Sequence, residues 1–305
     1  MKLWLPFKGY LTPKFRGLHR DFNHKPEDDI TNIQTRLVRL EERQRFLQDV
    51  MVRAFWAAMD KLDESTLPRR RMICPICDRT EVREALATRV DRCRFGGGRL
   101  ERYVCPGCGC VYGPAKYLDL DVDLINADYS LLYTDYAEAD STESEVWAFH
   151  SLHPRTGGLY LDWGCGRWSR TIPKLRAEGY DVWGYDPTGM PENSAFIASK
   201  RDQISARFEG IFSNNVIEHM LRPVEEFRYF HSILAPGARM AHATPCYRYD
   251  YAFSRFHVIF LTGDSPHVLA ERSGFRIIGR EEDGEFVNCV FERLSSCPER
   301  TGSAT

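Results

Sequence analysis

The stretch Leu159-Tyr-Leu-Asp-Trp-Gly-Cys-Gly-Arg-Trp-Ser169, continued by Ala177-Glu-Gly-Tyr-Asp-Val-Trp-Gly-Tyr-Asp-Pro187, constrains this chain more than any other. Leu159 to Trp163 is a short apolar run that stops at a glycine turn, the pattern of a buried strand. Thr171 to Glu178 suits a helix, and Gly179 suits its C-terminal stop. Tyr180 to Tyr185 is a second strand, closed by Asp186. Strand, glycine turn, helix, strand and acid in that order open a nucleotide-binding α/β unit.

Two chemistries use this plan. A dinucleotide site wants G-x-G-x-x-G, whose glycines let backbone amides approach a pyrophosphate. Gly164 and Gly166 fit, but the third position is Ser169. A lone Gly-Cys-Gly is also a common tight turn. The pattern Leu161-Asp162-x-Gly164-Cys165-Gly166 instead resembles motif I of class I S-adenosylmethionine (SAM) methyltransferases. Three later stretches extend the resemblance. Phe208 to His219 is similar to the fourth-strand signature that runs into a Glu-His pair, Ser232 to Ala238 to the Pro-Gly turn before strand five, and Ser273 to Ile278 to the late strand after a Gly-Phe turn.

The resemblance implies a Rossmann-like α/β sheet over residues 151–294. It implies SAM bound against Asp162, Gly164, Cys165 and Gly166, its ribose hydroxyls on Asp186, and Asn214 and Asn215 beside it. Trp168 stands where the family usually has a third glycine. A hydroxyl acceptor would need a base. His219, after the fourth strand, and His257 are the candidates, each weighed against a structural histidine. Some relatives hold a divalent metal through two glutamates and this histidine. Asn215 replaces the first of them, so the resemblance favours a metal-independent mechanism.

Upstream, Cys74-Pro-Ile-Cys77 and Cys105-Pro-Gly-Cys108 flank a linker containing Gly96, Gly97 and Gly98. Paired C-x-x-C knuckles are the ligand set of a structural zinc ribbon, assigned to residues 68–115. Cys110 is the alternative fourth ligand, and Cys93 is read as a bystander. Ten cysteines in a chain with no evident leader point to the cytoplasm and to thiols or metal ligands. The arginines around the knuckles invite a nucleic-acid reading. A net charge of −2 and few aromatics among those arginines speak against it.

Before the ribbon, Ile30, Ile33, Leu37, Leu40, Leu47, Met51, Ala54, Ala58 and Leu62 repeat at three-four spacing, broken by Gln44. This predicts a long helix over 28–67 that pairs with a second copy as a coiled coil. Without residues 1–66 the chain is expected to be monomeric and still bind SAM. Residues 1–27 mix aromatics with basic residues and read as a packed arm or a peripheral membrane contact. Residues 116–150 are acidic and tyrosine-rich and are expected to form a helical lid, and 295–305 a frayed tail. No apolar run is long enough to cross a bilayer.

A ribbon, a tyrosine-rich segment and then the SAM motif is similar to bacterial methyltransferases of polysaccharide and deoxysugar biosynthesis. The resemblance implies methyl transfer to a nucleotide sugar or a glycan chain. Two alternatives are an RNA methyltransferase that recognises its substrate through the ribbon, and a non-catalytic coiled-coil scaffold.

Overall fold

The computed structural model describes residues 26–66, 70–132, 136, 139–166, 169–187 and 195–298. Residues 1–25 of the arm, Trp168, Tyr133 and residues 299–305 of the tail lie outside them. Residues 1–48 and 49–305 form two separate units.

Helix α1 runs Pro26–Thr66. Pro26 suits the first turn, and no glycine or proline follows among residues rich in Leu, Arg, Glu and Ala. In its first part the seam residues Ile30, Ile33, Leu37 and Leu40 are 52–60% exposed, so these side chains remain uncovered. Within the second unit, Val52, Trp56 and Met59 face inward. Trp56 is fully buried and stacks on Tyr117 at 5.8 Å. Met51 and Leu62 stay 68% and 52% exposed. The helix therefore carries an inward stripe that the heptad pattern did not reveal, because Trp56, Met59 and Asp60 fall between seam positions.

The inward stripe meets the ribbon. Strands β1 (Arg71–Ile73) and β2 (Thr80–Val82) form a hairpin around the first knuckle. Strands β3 (Ala87–Arg92), β4 (Arg99–Val104) and β5 (Val111–Tyr112) form a second antiparallel sheet. Its edge is completed from far down the chain, where Ile259–Phe260 (strand β11) pairs with Val111 and Tyr112. The segments read as ribbon, lid and SAM-binding domain thus pack within one unit.

Arg102, fully buried on β4, shows why that pairing holds. Its guanidinium donates to the carbonyls of Ala252 at 2.7 Å, Ser254 at 2.6 Å and His257 at 3.1 Å. Most of the other arginines that suggested nucleic acid are also engaged. Arg83 and Arg99 pair with Glu101, Arg79 bonds Glu81, Arg70 bonds Asp119, and Arg94 lies over Phe253.

After the ribbon come helices α2 (Ala115–Leu118), α3 (Val122–Leu132) and α4 (Thr142–His150). The expected lid is divided between roles. Asp128 of α3 pairs with the buried Arg255 at 2.7 Å. Helix α4 belongs to the core, with Ala148 and Phe149 fully buried and Phe149 set against Phe212 and Tyr160. Acidic residues on its outer face masked an apolar inner one.

The main sheet is built from β6 (Leu159–Trp163), β7 (Asp181–Tyr185), β8 (Ile197–Ala198), β9 (Phe208–Asn214), β10 (Leu234–Thr244), β12 (Phe275–Asp283) and β13 (Phe286–Arg293). Helices α5 (Thr171–Ala177), α6 (Pro223–Ile233) and α7 (Ser265–Arg272) pack beside it. The order is β12-β13-β10-β9-β6-β7-β8. Neighbours from β10 to β8 are parallel, and β13 is antiparallel to both β10 and β12. The chain winds outward from β6 through β7 to β8, then returns to place β9 on the other side of β6. The topological switch point lies between β6 and β9, where open α/β sheets bind ligands at the carboxyl ends of the strands.

His242 of β10 is fully buried among Phe227, Phe230 and Phe291, with Nδ1 2.8 Å from Ser213 Oγ. Burial pushes its pKa down to about 3. The imidazole stays neutral in the fold while an unfolded chain takes up a proton below about pH 6.5. Stability is therefore complete above that pH and falls as the pH drops toward 3. The expected loss between pH 7.5 and 5 from this residue is about 2 kcal/mol. Denaturant melts of His242→Phe should show a correspondingly shallower pH dependence than wild type.

Candidate active site and thiol cluster

Gly164 and Gly166 adopt φ of +77° and +72°, the left-handed region that favours glycine. The turn is laced to the end of β7: Gly164 N–H donates to Tyr185 O at 2.8 Å, and Gly166 N–H donates to an Asp186 carboxylate oxygen at 2.9 Å. A Cβ on Gly164 would strike Val216 at 2.6 Å, whereas one on Gly166 would meet nothing within 4 Å among the described residues. One glycine thus closes the turn against the segment after β9, and the other is open with respect to the described residues. Cys165 is turned the other way, with its thiol against Gly184, so only its backbone is at the turn.

Three carboxylates converge here. Asp162 is buried with Oδ2 unpartnered, and burial, with Glu145 and Asp186 nearby, raises its pKa well above the usual carboxylate range. Glu145 accepts from Ser141 and Thr171. The sequence did not single out Glu145. It lies in the acidic segment read as a lid, and only the packing of α4 brings it to the turn. Asn214 is buried with Oδ1 unpartnered, while the neighbouring Asn215 is exposed at φ +54° and donates its N–H to Ala243 O. Unpaired buried acceptors, clustered acid and an open glycine suit a cationic cofactor with amine and hydroxyl donors. SAM fits that description.

Beyond β9 the chain turns through Ile217–His219. His219 Nδ1 lies 2.9 Å from Phe256 O, so it carries the proton and leaves Nε2 as an acceptor. His257 approaches with its ring centre 5.0 Å away, and Tyr129 stands edge-on to His219 at 5.6 Å. Burial lowers His219 to about 4, and lowers His257 as well. The structure therefore brings the two candidate histidines together. The aromatic run from Tyr247 to Phe256 packs largely against the ribbon. Tyr247 is buried, and Tyr249 donates to Asp91 of β3 at 2.6 Å.

The four knuckle thiols form a second cluster. Cys74 and Cys108 Sγ are 3.7 Å apart and Cys77 and Cys105 Sγ 3.4 Å apart, all four atoms lying within 4.8 Å of one another. A tetrahedral zinc with Zn–S of about 2.3 Å separates its sulfurs by about 3.8 Å. The set thus fits zinc. Cys110 Sγ instead approaches Val111 O, leaving the fourth position to Cys108. Asp264 N–H donates to Cys108 O, Thr262 Oγ1 to Gly109 O, and Arg272 to Ile76 O, tying both knuckles to the segment around α7.

Residues 144–279 match the model of the methyltransferase domain. No curated protein matches the chain significantly. Among solved structures, the chain is similar to the 1,6-didemethyltoxoflavin-N1-methyltransferase of Burkholderia thailandensis, at 14% identity and TM-score 0.45 over 63% of this chain and 98% of that one. It is also similar to an S-adenosylmethionine-dependent methyltransferase of Mesorhizobium loti, at 18% identity and TM-score 0.37 over 49% and 98%. A third similar structure is the N-methyltransferase NodS of Bradyrhizobium japonicum, at 16% identity and TM-score 0.38 over 50% and 86%. Among the described residues, no helix is long and apolar enough to cross a membrane.

Proposed function

We infer that this chain, a SAM-dependent methyltransferase, transfers its methyl group to a sugar hydroxyl, on a nucleotide sugar or at the end of a glycan chain. The observation that carries the hydroxyl reading is the pairing of His219 and His257 just beyond β9, beside Val216, which packs on the glycine turn. The sugar follows from the order of ribbon, tyrosine-rich segment and SAM motif. Both imidazoles are neutral near pH 7, the form that handles a hydroxyl. In this reading Asp186 holds the ribose, and Asp162 and Asn214 offer acceptors to the cofactor's donors. Bound there, SAM supplies an electrophilic methyl carbon. The protein's part is to align the acceptor oxygen with it and exclude water.

Incubation with labelled SAM and a panel of nucleotide sugars, glycan fragments and RNA tests the acceptor. Label in the sugar pool supports the reading; label in RNA alone overturns it. Asp186→Ala is expected to weaken SAM binding by about 1.5–3 kcal/mol, roughly ten- to a hundredfold, by removing a charge-assisted contact. Unchanged affinity by calorimetry would move the ribose ligand elsewhere.

For the thiol cluster we propose one structural zinc per chain on Cys74, Cys77, Cys105 and Cys108. For α1 we propose pairing with a second copy along the exposed seam. A row of apolar side chains left in water is rare in monomers, and Arg and Glu flank this one as in coiled coils. Since Trp56 is buried within the second unit, deleting residues 1–66 would damage more than the seam. The sharper test is Leu37→Glu with Leu40→Glu. Light scattering should find wild type as an oligomer and the double variant as a monomer that binds SAM normally. A wild-type monomer at micromolar concentration would refute pairing.

A further inference from the structure

Glu218, His219 and His257 each place a potential ligand atom within 4.8 Å of the other two, although His257 lies far along the chain from the other pair. We propose that these three side chains form a second metal site, which takes a divalent cation such as zinc or manganese and presents it to the acceptor. One carboxylate and two imidazoles are the ligand set of open, catalytic metal centres, which keep coordination positions for water or substrate. Closed structural sites, such as the four thiols of the ribbon, do not.

Three features of the surroundings fit this use. First, His219 Nδ1 is committed to Phe256 O at 2.9 Å. Ligating histidines commonly donate their other ring N–H to a backbone carbonyl, which fixes tautomer and ring plane. Second, Glu218 is 1% exposed and its backbone carbonyl accepts from Val258 N–H at 2.8 Å, so the segments bearing Glu218 and His257 are clamped together. Third, His257 is steadied from behind. Its carbonyl accepts from Arg102, and its Nδ1 lies 3.6 Å from Cys246 Sγ. The sequence argued against a metal because Asn215 replaces a glutamate. The fold supplies His257 instead, while Asn215 is exposed and adopts a left-handed backbone conformation.

The inference deepens the methyltransferase reading and rests on it. An acceptor hydroxyl oxygen on such an ion loses its proton to water more readily. The oxygen then forms its bond to the SAM methyl carbon, and the carbon–sulfur bonding pair returns to sulfur. In this arrangement His219 and His257 are ligands rather than bases.

The test uses the full chain as purified. Elemental analysis, followed by titration with Mn2+ read by electron paramagnetic resonance, should account for two divalent cations per chain. Glu218→Gln and His257→Gln should each weaken binding of the second at least tenfold while the zinc of the four thiols stays at one per chain. Should those variants fail to fold, Mn2+ added to wild type should broaden the imidazole NMR signals of His219 and His257 first and most strongly, ahead of those of His242 and His231. A single cation per chain with no Mn2+ uptake, variants that bind Mn2+ as tightly as wild type, or broadening that misses these two histidines would each overturn the proposal. Calorimetry with SAM on the same sample separates the causes. SAM binding without a second metal sinks this inference alone, whereas no SAM binding sinks the methyltransferase reading beneath it.

Discussion

Cys74→Ser is expected to abolish stoichiometric zinc binding and to lower the melting temperature of the whole unit from residue 49 onward, not of the ribbon alone. Structural zinc sites hold on the order of 10 kcal/mol of binding free energy, which is folding free energy where no site exists in the unfolded chain. The thiol cluster is not insulated from the methyltransferase sheet. Its knuckles are gripped from Thr262, Asp264 and Arg272, and its sheet borrows Ile259–Phe260. Calorimetric melting should therefore show one transition, moved down, with SAM affinity reduced in parallel. Two separated transitions, the upper one at the wild-type temperature, would mean that the ribbon is an autonomous module. Full zinc with unchanged melting would mean that the ligands are misassigned.

Arg102→Met should be the next most damaging single change. The side chain fits roughly the same volume, but three carbonyls lose their donor in a site with no exposure. Leaving buried acceptors unpaired costs about 1–3 kcal/mol for each, so a loss on the order of 3 kcal/mol is expected even if the segment partly relaxes. Because one of those carbonyls belongs to His257, turnover should fall further than stability accounts for when assayed well below the melting transition. SAM affinity should change little. A variant that is destabilised yet turns over normally at low temperature would separate Arg102 from the placement of His257.

Much of this was legible in the residues. The strand-turn-helix-strand run around Gly164 was visible because glycine at positive φ, apolar runs and a terminal acid are local signals. The knuckles were visible because ligand spacing is local too. What the sequence concealed was long-range. Nothing near Ile259 announces a partner at Val111, since a two-residue apolar strand has no periodicity to read. Trp56 falls between heptad positions and is a core residue. The packing of Tyr249 and Phe253 against the ribbon arginines Arg89 and Arg94 is long-range as well. Glu145 was one acid among many until α4 was docked.

The pairing of Tyr112 with Ile259 also bears on how the chain is made. A ribosome releases the cysteine knuckles early, and metal can close on them while the rest is still being synthesised. The edge of their sheet then waits for a partner some 147 residues later, the difference between positions 112 and 259. At roughly 5–20 residues per second that interval is about 7–30 seconds. Throughout it, an apolar strand edge is open to the wrong neighbour. Zinc bound early on the proposed ligands would shorten the list of wrong neighbours by fixing the knuckles, but it would not supply the missing strand. Yield of native protein should therefore depend on translation speed and on chaperone supply between these two points. A chain interrupted before residue 259 would lack this edge strand whether or not its thiols held metal.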